Sequence, residues 1–121
     1  MQIMNGQSCI TAERQRQQND EGWSASHDDQ HGADVLEAAA RSYRDASGSE
    51  SECPSYWPWS LEWWKPKNRE RNLERAGALF IAASEVAERA GDYAKRDQLI
   101  GQVNCCVILL DSILSSQSIA K

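Results

Sequence analysis

Three prolines set the layout of this chain. Pro54, Pro58 and Pro66 each remove a backbone donor and restrict the residue before them, so no continuous helix runs through that segment. Four of the five tryptophans lie inside it, in Trp57-Pro-Trp-Ser-Leu-Glu-Trp-Trp64, and the basic Lys65-Pro-Lys67 follows at once. Large rings with a polar handle, gathered in a proline-broken loop, either fasten that loop in place or form a surface that binds. For Trp57 and Trp59 both readings stay open. Trp63 and Trp64 are neighbours whose side chains point in different directions and cannot easily share one core, which favours a working surface.

On both sides of this loop the pattern is helical. Residues 1 to 10 read as a loosely held arm, and Thr11 to Asn19 as a helix of good helix formers with almost no apolar face, hence mostly wet. Asp20 to Gly32 collects turn formers around Trp23 and reads as an ordered loop. A second helix begins at Asp34, capped by it with Glu37 three residues on, and carries Val35, Leu36, Ala39, Ala40 and Tyr43 before Ser47-Gly48 stops it. Ser47 to Cys53 has the composition of a mobile excursion. Asn68 can cap a third helix, in which Leu73, Ala76, Gly77, Phe80, Ala83 and Ala87 recur at helical steps until Gly91 offers a left-handed stop. A fourth helix, from Asp92 to about Ser118, has a stripe of Leu99, Val103, Cys106, Leu110 and Ile113 widened by Ile100, Val107 and Leu114. Such width suits a helix central in the bundle or shared with a second subunit, and a homodimer through it is expected. The expected fold is all-α: a small four-helix bundle-like domain with a long Trp- and Pro-rich loop between helices two and three.

At 121 residues the chain is one domain. Its 13 Lys and Arg against 18 Asp and Glu leave a net charge of −5, which argues against non-specific binding to duplex nucleic acid and against an acidic partner. No run reads as approaching the ~18 apolar residues of a membrane span, and Met1-Gln-Ile-Met lacks the regions of a secretion signal, so a cytoplasmic protein is expected. Cys9, Cys53, Cys105 and Cys106 form no Cys-x-x-Cys pair and read as reduced, with none a zinc ligand.

Two constellations could carry chemistry. His27-Asp-Asp-Gln-His31 holds two imidazoles and two carboxylates, donors able to bind a divalent metal or to act as acid and base, and Glu37 is a possible further member of the set. On a loop, however, no i,i+4 register converges them, and the chain has no other histidine. The alternative is that Asp28 or Asp29 caps a turn while one histidine packs on Trp23. The second is Lys65, Lys67, Arg69, Arg71 and Arg75, five of the 13 basic groups within eleven residues at a helix start. Positive charge there is unfavourable to the helix itself, so it favours receipt of a phosphate over a structural role.

The words Glu13-Arg-Gln-Arg-Gln17, Glu21-Gly-Trp23, His27-Asp-Asp-Gln-His31, Leu36-Glu-Ala-Ala-Ala40, Trp57-Pro-Trp59, Trp63-Trp-Lys-Pro-Lys67 and Ala76-Gly-Ala-Leu79 resemble a family of small uncharacterised phage and prophage proteins. The resemblance covers about residues 11 to 90, so the segment 92 to 118 reads as an additional C-terminal helix. More distantly, the layout is similar to the MazG-like nucleotide pyrophosphohydrolases, whose paired carboxylate motifs hold magnesium. Here Glu37 is followed by three alanines, and Glu70 and Glu74 stand four residues apart, so that set is incomplete. The resemblance implies a nucleotide or nucleotide signal held by Trp57, Trp59, Trp63 and Trp64 with Lys65, Lys67, Arg69 and Arg71. No cofactor is expected, with magnesium only for a hydrolytic member. The other expectation is an inhibitor of a bacterial defence complex, resembling the small acidic anti-CRISPR proteins, that acts on a host protein in the bacterial cytoplasm.

Overall fold

The computed structural model describes residues 5–119, and the chain over them is all-α. Five helices follow in order: α1 (Gly6–Asn19), α2 (Ala25–His31), α3 (Ala33–Asp45), α4 (Arg69–Arg89) and α5 (Tyr93–Ile119), with one 3-10 turn at Leu61–Trp63. α4 lies at the centre. Its Leu73, Ala76, Leu79, Phe80, Ala83 and Ala87 are buried together with Asn72, Gly77 and Ser84, a helix enclosed on nearly every side. Of the two alternatives for the C-terminal helix, central in the bundle or shared with a second subunit, the first is not met, because α4 holds that place. α5 lays one stripe, Leu99, Val103, Cys106 and Leu110, on the core and leaves Ile100, Ile108 and Leu109 exposed. It also corrects the reading of the apolar runs: Tyr93 to Gln117 is long and apolar enough to cross a membrane by length and composition, with 22 % of its most apolar window buried.

The helix ends follow side-chain chemistry. Asn68 accepts from the Arg71 amide and caps α4 as expected, while Gly91, at φ +78°, supplies the left-handed residue that ends it. Asp92 accepts from the Lys95 amide at the start of α5. Asp34 is not a cap: α3 starts from Gly32 at φ +86°, and Asp34 instead lies 3.5 Å from Lys95.

Two corrections concern the N-terminal third. The first helix begins at Gly6, capped by a reciprocal pair of hydrogen bonds between Asn5 and Ser8, so residues 6 to 10 of the expected arm are its first turns. Residues 1 to 4 lie outside the described residues. Nor is this helix wet, for Ile10, Glu13, Arg14 and Gln17 are all buried. Ile10 enters a notch in α4 that only glycine leaves open, since a Cβ on Gly77 would stand 2.5 Å from Ile10 Cδ1. The second correction is that Ala25–His31 is helical. Ser24 accepts from the His27 amide as its N-cap, and Gly22 and Gly32, both at positive φ, bracket the turn.

The cysteines are free, as expected. Burial pushes the Cys106 thiol up to about 12, and burial also raises Cys9, which makes both unreactive hydrophobes.

Candidate functional site

A helical His27-Asp-Asp-Gln-His31 gains the i,i+4 register that the loop reading denied it, and both imidazoles fall on one face. Their rings lie 4.8 Å apart, edge to face. From this pair aromatic contacts run in both directions. Trp23 stacks on His27 at 5.3 Å, while His31 stands edge-on to Trp59 at 5.3 Å, and Trp59 edge-on to Trp57 at the same separation. Trp57 then meets Tyr43 and Trp64, which are themselves stacked 5.1 Å apart. The histidine helix and the tryptophan segment are thus a single wall.

That wall encloses a cavity of about 600 Å³, within the range of small-ligand sites. Trp23, His27, His31, Tyr43, Trp57, Trp59 and Trp63 supply its apolar lining. Arg16, Lys65 and Arg75 with Glu13 and Glu21 supply its charge, three cations against two carboxylates in a chain of net −5. The acidic side is already engaged. Glu13, only 3 % exposed, accepts from Arg16 and from Arg71, which lies 2.7 Å away; burial opposes its charge, but these donors outweigh it and hold its carboxyl below the ordinary value. Arg16 also reaches Glu21 at 2.9 Å. Arg75 donates to the Lys65 carbonyl and lies over the Tyr43 ring, and Lys65 sits at the mouth, 6.0 Å from the Trp63 ring centroid. Neither is ion-paired with a carboxylate among the described residues.

Behind the histidines lies a fixed charge network. Asp28 has no exposed surface; Arg14 donates to its Oδ2 at 2.7 Å, and His27 Nδ1 lies 3.0 Å from its Oδ1. Glu85 takes a second bond from Arg14. His27 is therefore oriented with Nδ1 turned to the carboxylate and Nε2 left free. His31 has its pKa lowered, by burial first and by the neighbouring His27 second.

The predicted site residues separate into three groups. Trp57, Trp59, Trp63, Lys65, His27 and His31 meet at the cavity. Trp64 stands behind it, its indole N–H donating to the Ser51 carbonyl, which also ties the expected mobile excursion to the cluster. Of the vicinal pair, then, only Trp63, 62 % exposed, belongs to a surface. The basic stretch does not act as one patch. Arg69 donates to the Arg44 and Ala46 carbonyls at the end of α3, Arg71 to Glu13 and Glu74, and the Lys67 backbone is bracketed by Asn72. Asp29 pairs with Arg89, and Glu37 with Lys95, away from the histidines. No group of three or more metal-ligating side chains forms among the described residues. Sequence reasoning missed Glu13, Arg16, Gln17, Glu21, Tyr43 and Leu79 as lining residues, and no local signal marks them, because α1 with the turn after it, α3 and α4 bring them together from a distance.

Compared with family models, curated proteins and solved structures, the chain matches none.

Proposed function

We propose that this chain binds a nucleotide or nucleotide-like signal in the cavity, its base among the rings of Trp57, Trp59, Trp63 and His31 and its phosphate at Lys65 and Arg75. One observation carries the reading: a cavity walled by aromatics is also the place where an acidic chain keeps an excess of positive charge. Binding rather than hydrolysis fits the carboxylates, since Asp28, Glu13 and Glu37 are each held by a cation already. The reading needs no magnesium. In it the four longer helices are a bundle-like scaffold, the Trp- and Pro-rich connection between α3 and α4 is the part of the wall that carries most of its rings, and the setting is that of a phage-type accessory protein in the host cytoplasm.

The test is titration with nucleoside monophosphates, followed by quenching of the tryptophan fluorescence and by calorimetry. Saturable binding, weakened by Trp57→Ala and by Lys65→Glu, supports the reading; no saturable binding up to millimolar ligand overturns it.

A second reading, an inhibitor of a defence complex that acts through protein contact, is favoured by the exposed Leu61 and Trp63 of the 3-10 turn and by Ile108 on the outer face of α5, which would also serve a homodimer. Leu61→Ser with Ile108→Lys would abolish such an activity while leaving ligand quenching at the cavity in place.

A further inference from the structure

The outer face of α5 holds a projection and a hollow one heptad apart. Ile108 is 68 % exposed, and Gly101, also exposed, lies two turns before it on the same face. Glycine weakens a helix interior and is useful there where another group must come close. At Gly77 that group is Ile10. At Gly101 a Cβ would meet nothing within 4 Å, so no contact among the described residues asks for glycine. The face around it is also free of charge. From Gln98 to Ser118 the sole charged residue is Asp111, whose carboxylate accepts from the Gly6 amide. In a chain of net −5, two copies can meet here without bringing like charges together.

We infer that α5 is the seam of a homodimer in which two copies run antiparallel about a two-fold axis between Asn104 and Cys105. Such an axis sets each Ile108 opposite Gly101 of the second copy, and Leu109, 40 % exposed, opposite Ile100, 42 % exposed. One patch thus supplies both halves of the fit. A parallel pairing would set glycine on glycine and leave the hollow unfilled. A bilayer is the poorer occupant, although the helix is long and apolar enough to cross one. Leu99, Cys106 and Leu110 have no exposed surface, Gln102 accepts from Arg44 at 2.8 Å and Asp111 holds Gly6, and insertion would break all of these. A second copy covers the outer face and leaves the inner one in place. Nothing in this seam depends on what the cavity binds.

The experiment is sedimentation equilibrium on the full chain and on three variants: Gly101→Ile, Ile108→Lys, and the exchange of Gly101→Ile with Ile108→Gly. The parent protein is expected to be a dimer that dissociates on dilution. Gly101→Ile fills the hollow and should raise the dimer Kd tenfold or more even though it adds apolar surface; Ile108→Lys should do the same. The exchange sets a projection opposite a hollow again and should return the Kd to within threefold of the parent value. Both positions are exposed, so each variant should keep its helicity by circular dichroism. A parent protein that stays monomeric up to millimolar concentration overturns the seam, and one that instead floats with vesicles of phosphatidylcholine and phosphatidylglycerol gives the face to lipid. A dimer that Gly101→Ile leaves unchanged or tightens, or that the exchange fails to restore, overturns the antiparallel register.

Discussion

Arg14 and Asp28 form an ion pair at 2.7 Å with both side chains out of solvent, joining α1 to the histidine helix. Removing one member of a buried pair leaves the other uncompensated, at about 3–5 kcal/mol. Asp28→Asn and Arg14→Met should each destabilise the protein by roughly that amount in chemical denaturation. The double variant should lose less than the sum of the two, since neither charge is then stranded.

The two adjacent tryptophans should behave oppositely. Trp64 is stacked on Tyr43 and hydrogen-bonded through its indole, so Trp64→Ala is expected to lower stability by about 2–3 kcal/mol, somewhat less than a fully buried ring. Trp63→Ala should stay within about 0.5 kcal/mol of the parent protein and lower ligand affinity instead. Paired denaturation and binding curves check both. Equal stability loss in the two variants would count against the assignment.

Stability should fall with acid in two stages. The His31 pKa is lowered from 6.5 and the Glu13 pKa from 4.5, so for each group the unfolded chain binds protons more readily than the folded one. The His31 contribution is complete above pH 6.5 and is lost as pH falls through its lower folded value; that of Glu13 follows below pH 4.5. The melting temperature is expected to drop between pH 7 and pH 5, with a shallower slope in His31→Gln. An unchanged slope in that variant would remove His31 as the cause.

Gly77→Ala should be destabilising despite the higher helix propensity of alanine. The new methyl would press on Cδ1, Cγ1 and Cγ2 of Ile10, a buried side chain with nowhere to swing, at about 1–3 kcal/mol. Ile10→Ala, harmful alone, should recover part of that loss in the double variant, as measured by a double-mutant cycle in denaturant.

What was legible in the sequence is what rests on period and punctuation. The apolar steps of α4, its Asn68 cap and the Gly91 stop are local facts, and the structure agrees with them. α1 was misjudged because its buried face is polar: Glu13, Arg14 and Gln17 lie inside only because Arg71, Asp28 and the cavity receive them, and no periodicity of apolar residues reports that. α2 was hidden by its turn-forming residues, where Ser24 acts as a cap and Gly22 and Gly32 as brackets. The tryptophan and histidine words were each conspicuous alone. Their meeting through His31 and Trp59 is a tertiary fact.

Gly6, the first residue of α1, donates its amide to Asp111 at 2.6 Å, deep into α5. A Cβ on it would meet the Val107 carbonyl at 2.7 Å, so the first helix rests directly on the last. Since α1 carries Glu13, Arg16 and Gln17 into the cavity, the pocket is not closed by the segment that holds most of its rings. During synthesis, the tryptophan segment leaves the ribosome long before Asp111 does. The site therefore comes into being only once Asp111 has emerged, and a product terminated before that residue would have every aromatic side chain of the wall and no latch to hold the helix opposite it.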